Sequence, residues 1–176
     1  MPNQQLTSDL APPPAILDIE ASGFGLGSYP IEVGFVTSQG RAWCSLIRPE
    51  PDWQHWDPNA AVVHGITREQ LQQHGRSSVQ VAEALNEQLR GVTVYTDAWA
   101  HDFSWLSRIY EVADRSPSFK LDNLRALLNE DQAARWHEVK LALARGSTAQ
   151  RHRASADARL LQQTFLALQA PRAVHA

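Results

Sequence analysis

The sequence predicts an α/β domain in which helices flank a five-stranded mixed β-sheet. Three short segments that are β-branched or alternate between apolar and polar residues open the ordered chain, and helical patterns then alternate with two further strands. That order is typical of a mixed sheet with helices packed on it. The length of 176 residues and the hydrophobic content of 43% suit one domain with a sizeable core.

The strands are predicted from apolar alternation and the helices from apolar stripes at helical spacing. We expect five strands, over residues 15–21, 30–38, 41–48, 92–96 and 119–121. A turn at Gly40 joins the second strand to the third. We expect helices over residues 58–65, 67–74, 79–89, 102–113, 131–144 and 154–169. Thr67, with Gln70 three residues later, predicts a capping box, and Asp122 or Asn123 opens a further helix.

The two ends of the chain differ in composition from the domain between them. Residues 1–14 are mostly polar and end in Ala-Pro-Pro-Pro, so we expect a flexible leader ahead of a single domain over 15–170. Residues 171–176 are expected to form a tail. No internal repeat and no linker divides the domain.

Composition also bears on the cellular compartment. No run approaches the roughly 18 apolar residues that a membrane helix needs. No basic residue precedes Arg41, so a secretory signal is not expected. The single cysteine, Cys44, cannot form an internal disulfide, which agrees with a reducing compartment. We therefore expect a cytoplasmic protein without a membrane partner.

Charge is distributed unevenly along the chain. The net charge of −3 argues against a protein that coats nucleic acid non-specifically, since such proteins present a broad basic surface. Residues 1–40 hold four acids and no base, whereas residues 135–176 hold seven bases and two acids. One end of the chain could hold cations while the other meets phosphates, although a solvated helix face explains the bases equally well.

Two acids lie where a buried strand is predicted. In Ile16-Leu17-Asp18-Ile19-Glu20, alternation places Leu17 and Ile19 on one face and both acids on the other. Two buried carboxylates repel each other and lose hydration, at a cost of several kcal/mol unless a cation compensates. A bound metal ion is the simplest remedy, and an edge strand with one face in water is the alternative.

Two further acids interrupt apolar helix stripes. Asp102 begins a stripe that continues through Leu106, although interaction with the helix dipole also accounts for an acid at that place. Asp157 lies on the apolar face of the last helix, three residues before Leu160. His152 precedes Asp157 by five residues, in a stretch rich in Gly, Ser and Arg that we expect to be a mobile loop over 146–153.

Taken in order, the four acids and the histidine resemble the motifs of the DEDD superfamily of 3′-to-5′ exonucleases, in the subclass whose last motif carries histidine. Residues 16–24 are similar to the first motif, Asp-x-Glu-x-Thr-Gly, and residues 152–158 fit the third motif, His-x4-Asp. Between them the match runs through residues 31–34, 63–67 and 100–103. The resemblance covers residues 15 to about 169, and the pattern is similar to the proofreading subunits of bacterial replicative polymerases and to the ribonuclease T group.

The chain departs from the family pattern at three places. Ser22 replaces the usual threonine of the first motif and keeps its hydroxyl group. His101 stands where the second motif has phenylalanine, so Asp97 rivals Asp102, which we prefer because it begins the predicted helix. The basic segment 123–151 contains no residue to which the pattern assigns a role.

The resemblance implies a ribonuclease H-like fold and a phosphodiester hydrolase that uses two divalent cations, Mg²⁺ or Mn²⁺. It implies that Asp18 bridges the ions, that Glu20 and Asp157 complete the site for the attacking water, and that Asp102 holds the second ion. His152 is implied as the general base, since histidine ordinarily titrates close to neutral pH. Hard carboxylate oxygens also suit these ions better than zinc.

The resemblance further implies that the protein binds the 3′ ends of single-stranded DNA or RNA. Phe24 and His64 occupy positions that contact the terminal base, and Ser22 completes the expected substrate-binding set. A core phenylalanine and a helix-capping histidine are the alternatives for the first two. A homodimer is left open alongside a monomer. The alternative functions are a nucleic-acid- or protein-binding module without turnover and a hydrolase of nucleotides or very short oligonucleotides.

Overall fold

The computed structural model describes residues 12–146 and 152–170. Most of the predicted leader, the predicted tail and the middle of the predicted mobile loop lie outside the described residues. The strands are β1 (Ala15–Ala21), β2 (Pro30–Val36), β3 (Ala42–Leu46), β4 (Thr93–Thr96) and β5 (Lys120–Asn123). The helices are α1 (Pro58–His64), α2 (Arg68–His74), α3 (Ser78–Leu89), α4 (Trp99–Ala113), α5 (Glu130–Gly146) and α6 (Ala154–Gln169). Within the described ranges, no helix combines the length and the apolar character needed to cross a membrane.

The strands form one mixed sheet in the order β3-β2-β1-β4-β5. β1, β2 and β3 pair antiparallel, whereas β4 is parallel to β1 and β5 is parallel to β4. The predicted five-stranded mixed sheet flanked by helices is therefore confirmed. β1, which carries the two strand acids, lies at its centre and not at an edge. Gly40 turns β2 into β3 with a φ of 78°, a conformation that glycine adopts readily.

Several element boundaries differ by one to three residues from the sequence prediction, and two places bear on the site and its surroundings. α4 begins at Trp99, three residues ahead of Asp102. The Thr96 hydroxyl accepts a hydrogen bond from the backbone N–H of Ala98, the residue that precedes the helix. Asp102 still lies in the first turn. Asn123 is the residue that opens the short helix after β5, a 3-10 helix over Leu124–Leu127, where its side chain caps the first turn.

The sheet buries a separate hydrophobic core on each of its faces. The larger core contains Leu17 and Ile19 of β1 together with apolar residues of α3 and α4. The smaller core contains Ile16 and apolar residues of α6. Because successive side chains of a strand point to opposite faces, Asp18 and Glu20 share the face of Ile16. The two acids therefore lie on the side of the sheet that α6 covers.

Candidate active site

A cavity of about 530 Å³ lies beside the second half of β1 and the start of α4. Its lining brings together residues that are far apart in the sequence and that the motifs singled out: Asp18, Glu20, Phe24, His64, Asp102 and His152. Asp157 lies next to this group, in the first turn of α6. The side chain of Ser22 is the predicted site group that faces elsewhere, as described below.

The two acids of β1 lie opposite two different residues of β2. Asp18 is paired in register with Gly34, and Glu20 is paired with Glu32. Ile16, one step earlier on the same face, packs in the smaller core. This face of the sheet therefore changes from apolar to acidic within five residues of β1.

Gly34 allows the start of α6 to approach the sheet beside Asp18. A Cβ atom on Gly34 would lie 2.7 Å from the carbonyl carbon of Ala154 and 2.8 Å from the Cα of Ser155. Any larger residue at this position would push the helix away. The close approach brings Asp157, in the first turn of the helix, to the two acids of β1.

Glu20, His152 and Asp157 form a cluster of potential metal ligands. One ligand atom from each side chain lies within 4.8 Å of the others, and all three residues are partly exposed. His152 reaches this position with a φ of 60°, in the left-handed region that few residues other than glycine adopt. The chain that enters α6 is thus bent so that the imidazole lies at the acids.

Asp102 is delivered to the cavity by the parallel pairing of β4 with β1. β4 ends beside β1, and the first turn of α4 then places Asp102, which is 1% exposed, next to Asp18. The Thr96 hydroxyl, at the end of β4, donates a hydrogen bond to the Asp102 carboxylate. Asp97, the rival candidate, lies outside this cavity, where its carboxylate accepts a hydrogen bond from the Lys140 ammonium at 2.7 Å.

Glu32 and Arg153 form an ion pair at the edge of the site, and the sequence motifs assign no role to either residue. The Arg153 guanidinium donates from Nε at 3.0 and 3.1 Å and from Nη2 at 2.5 Å to the Glu32 carboxylate. Glu32, which is 1% exposed, also accepts the backbone N–H of Ala154 at 2.9 Å. A single acid within the otherwise apolar strand β2 is the sequence signal that could have found it. The pair fixes the residue that directly follows His152.

Three carboxyl groups of the site have raised pKa values. Burial raises the pKa of Glu20 to about 7, with the negative charges of Asp157 and Glu32 adding to the effect. Burial also raises the pKa of Asp102 to about 7, although the hydrogen bond from Thr96 opposes the shift. The pKa of Asp18 is raised well above its ordinary value by burial and by the surrounding carboxylates, of which Asp102 has the largest effect.

The donor set suits hard divalent cations. None of the ion pairs among the described residues involves Asp18, Glu20 or Asp102. Protonation relieves their mutual repulsion in the metal-free protein, and a divalent cation would relieve it more completely. The His152 imidazole lies beside the carboxylate oxygens of Glu20 and Asp157. The residues present therefore fit a metal centre of the kind that the motifs imply.

Phe24 lies at the mouth of the cavity and is 69% exposed, so it does not belong to the core. Its ring contacts His101 at 5.2 Å and Trp105 at 6.0 Å between centroids. His101 in turn stacks on Trp105 at 5.6 Å, with 27° between the ring planes. This aromatic wall beside the acids offers a surface on which a nucleobase can stack.

His64 serves two purposes at the end of α1. Its Nδ1 accepts the backbone N–H of Ile66 at 3.0 Å, as a capping histidine would. Burial lowers its pKa, which favours the neutral imidazole. Because Nδ1 accepts a hydrogen bond, the proton of the neutral ring lies on Nε2. Nε2 is buried and has no hydrogen-bond partner among the described residues. A donor in the lining of the cavity is therefore left for a ligand.

The Ser22 side chain supports the loop after β1. It is fully buried, accepts the backbone N–H of Tyr29 at 3.1 Å and shares a hydrogen bond with His55 Nδ1 at 2.9 Å. These bonds account for the hydroxyl that the first motif keeps at this position. The predicted contact between Ser22 and a substrate stays a prediction.

Comparison with known proteins identifies the fold. No family model matches the sequence, and no curated protein matches it. The fold matches E. coli exonuclease I, solved in a zinc-bound complex with single-stranded DNA, with a TM-score of 0.66, 14% identity and coverage of 86% of this chain and 39% of the other. For exonuclease I from Methylocaldum szegediense the TM-score is 0.64, the identity is 15%, and 90% of this chain and 41% of the other are covered.

A third structure, E. coli exonuclease I in complex with a dA16 oligonucleotide, has a TM-score of 0.63, 13% identity and coverage of 85% of this chain and 39% of the other. This chain thus spans about two fifths of the length of these exonucleases. At such low identity the likeness establishes the fold. The protein has a ribonuclease H-like α/β fold of the type found in exonuclease I, as the motif resemblance implied.

Proposed function

We propose that this protein is a metal-dependent 3′-to-5′ exonuclease of the histidine-containing DEDD subclass, acting on single-stranded DNA or RNA. The observation that carries the proposal is the convergence of Asp18 and Glu20 of β1, Asp102 of α4 and His152, which precedes α6, at one cavity, with Asp157 of α6 beside them. The fold supports it, because two of the matched exonuclease I structures contain single-stranded DNA or a dA16 oligonucleotide.

The four acids would hold two Mg²⁺ or Mn²⁺ ions. When bound, such ions stabilise the attacking and leaving oxygens of an in-line phosphodiester displacement and acidify a bound water. The raised pKa values of Glu20 and Asp102 mean that both carboxyl groups release protons near neutral pH as the ions bind. The chain thus supplies an acidic site that needs divalent cations before it can accept a phosphate.

His152 is proposed to take the proton from the attacking water. It lies in the cluster with Glu20 and Asp157, which places its imidazole at the group that would hold that water. The ion pair of Glu32 with Arg153 holds the backbone next to it, so the imidazole need not be ordered anew in each turnover. His152 is therefore the candidate general base, and Arg153 and Glu32 are positioning residues.

The terminal nucleotide is proposed to lie between Phe24 and His64. Phe24, with His101 and Trp105 behind it, would stack against the base. The Nε2–H group of His64 would donate to an oxygen of the sugar or phosphate, which would satisfy a donor that is otherwise buried without a partner.

The test is cleavage of a 5′-labelled single strand, as DNA and as RNA, with Mn²⁺, with Mg²⁺ and with excess chelator. We expect a ladder that shortens by one nucleotide at a time from the 3′ end, with no products when the metal is chelated. A 3′-phosphate should slow the reaction strongly. Asp18→Asn protein purified in parallel controls for a contaminating nuclease.

Three outcomes would contradict the proposal. Cleavage of a circular single strand would indicate an endonuclease. Tight binding of the strand in Mn²⁺ without any product would favour a binding module that keeps the fold. Turnover restricted to dinucleotides would favour a hydrolase of very short oligonucleotides.

A further inference from the structure

A second cavity, of about 310 Å³, lies beside the ends of β4 and β5 and against α5. α5 belongs to the basic segment to which the sequence motifs assign no role. The polar and aromatic part of the lining consists of Asp97, Asn123, Arg125, Trp136, His137 and Lys140. The cavity thus combines two permanent cations with a half-buried tryptophan, and we refer to it as the α5 cavity.

The α5 cavity adjoins the acidic cavity. Asp97 lines the α5 cavity, and Ala98, the next residue, lines the acidic one. Both therefore open where β4 ends and α4 begins. β1, β4 and β5 run parallel to one another, so their carboxyl ends meet at the same edge of the sheet. A nucleic-acid strand bound in the acidic cavity could therefore continue along the carboxyl ends of these β-strands into the α5 cavity.

The charges of the α5 cavity favour an anionic ligand. Arg125 and Lys140 contribute two positive charges against the one negative charge of Asp97, and His137 adds a third cation when protonated. Lys140 is engaged by Asp97 at 2.7 Å, but both side chains remain partly exposed, at 34% and 26%. Ion pairs of this kind contribute little to stability, so Lys140 can change partners at small cost.

Trp136 gives the α5 cavity an aromatic side. Trp136 packs against the smaller core, whose buried members include Leu124 and Ala158. It also lines the cavity, about one helical turn before Lys140 on α5. Base stacking next to a phosphate contact is the combination that single-stranded nucleic acid requires of its binding surface.

We propose that the α5 cavity is a second nucleic-acid subsite, which binds the backbone phosphate and the base of a nucleotide upstream of the one that is cleaved. Arg125 and Lys140 contact the phosphate, and Trp136 contacts the base. This inference rests on the proposed exonuclease function for the identity of its ligand. The subsite would give the basic segment a role in binding longer nucleic-acid strands, so affinity would depend on the length of the substrate.

The test measures binding of single-stranded oligodeoxythymidylate, a trimer and a 12-mer, in Mn²⁺ with phosphorothioate linkages at the 3′ end to prevent cleavage. Arg125→Ala should raise the Kd of the 12-mer by roughly fivefold and that of the trimer by less than about twofold, because only the longer strand reaches the subsite. The slope of log Kd against log salt for the 12-mer should become shallower by about 0.7, the value for one lost phosphate contact.

Two further variants sharpen the test. Arg41→Ala removes an exposed arginine from the turn between β2 and β3, at the opposite edge of the sheet, and should change neither the Kd nor the salt slope. Lys140→Ala also leaves Asp97 without its partner, so it is compared within the Asp97→Asn background. There it should again weaken the 12-mer more than the trimer.

The subsite and the exonuclease can fail independently. Equal effects of Arg125→Ala on the trimer and the 12-mer, or an unchanged salt slope, would overturn the subsite while wild-type cleavage of unmodified strands upheld the enzyme. Length-dependent binding that requires Arg125, in a wild-type protein that cleaves nothing, would uphold the subsite and overturn the exonuclease. Wild-type protein that binds neither oligonucleotide would overturn the subsite.

Discussion

Two regions of the same sheet face hold glutamates in opposite ways. Glu32 of β2 is buried, receives three hydrogen bonds from the Arg153 guanidinium and a fourth from the backbone of Ala154. Glu20 of β1, directly opposite in register, lies among other carboxylates, and burial raises its pKa to about 7. We call the first the paired region and the second the acidic region.

The difference separates a carboxylate that supports the fold from carboxyl groups that could bind cations. In the paired region a fixed cation satisfies the carboxylate, so the charge contributes to holding α6 on the sheet. In the acidic region none of the ion pairs among the described residues involves Asp18, Glu20 or Asp102. Burying these carboxyl groups costs stability and leaves room for exchangeable cations. His152 and Arg153, adjacent in sequence, are divided between the two regions.

The largest effect on activity is expected from removing the charge of Asp18, at the centre of the acidic region. Asp18→Asn should lower exonuclease activity at least about 10³-fold, because losing metal-based charge stabilisation costs several kcal/mol and each 1.4 kcal/mol is a factor of ten. The melting temperature without metal should stay the same or rise. Activity is measured on a 5′-labelled strand, and Asp131→Asn, which alters an exposed acid of α5, is the matched control. Retained activity would remove Asp18 from the metal site.

The next largest effect on activity is expected from replacing His152, which lies between the acidic region and the paired region. His152→Ala should lower turnover by roughly 10²- to 10⁴-fold, the range for losing a positioned proton acceptor. The gain in melting temperature from Mn²⁺ should change little, because the four carboxylates remain. Turnover is measured at saturating metal over a range of pH. Near wild-type turnover with an unaltered pH profile would show that His152 is not the base, and His101 would then be tested.

A smaller effect is expected from breaking the paired region. Glu32→Ala should destabilise the protein by about 2–3 kcal/mol, less than a fully buried ion pair would give, because Arg153 can reach water. Turnover should fall roughly tenfold through poorer positioning of His152, with the Mn²⁺ requirement intact. Urea unfolding and kinetics measure the two effects. Glu83→Ala, which breaks an exposed ion pair with Arg115, should cost less than about 1 kcal/mol. An equally small cost for Glu32→Ala would refute the anchoring role.

A further effect is a pH dependence of the stability of the metal-free protein. Glu20 and Asp102 have pKa values of about 7 in the folded state, above their ordinary values of 4.5 and 3.8. The folded state therefore binds more protons than the unfolded state, so stability should fall as the pH rises toward about 7 and level off above it. Melting temperatures without metal measure this, and the gain from Mn²⁺ should grow over the same window. Rising stability between pH 5 and 7 would contradict the repulsion.

Asp157→Asn tests the same repulsion by substitution. At pH 8 without metal it should leave the melting temperature unchanged or raise it, since it removes a negative charge beside Glu20. The gain from Mn²⁺ should shrink. A large loss of stability with an intact Mn²⁺ gain would indicate that Asp157 is a structural partner.

Local patterns in the sequence predicted much of the fold and singled out acids that the structure brings together at the candidate site. Alternation in residues 16–20 placed Asp18 and Glu20 on one strand face, and helical spacing marked Asp102 and Asp157 as acids on inward faces. The structure places Asp18, Glu20 and Asp102 in one cavity, with Asp157 beside it. Periodicity reveals such residues because an acid on an apolar face is anomalous whatever the tertiary arrangement.

The tertiary structure alone determined the contacts between residues that are far apart in the sequence. The ion pair of Glu32 with Arg153 joins residues 121 positions apart, and the hydrogen bond of Asp97 with Lys140 joins residues 43 apart. Gly34 reads locally as an ordinary strand residue, yet it sets how closely α6 approaches β1. The sequence by itself determined the strands, the helices and the inward acids, because these depend on neighbours within a few residues. Only the packed sheet determined which acid received a fixed cation, because the partner came from another element.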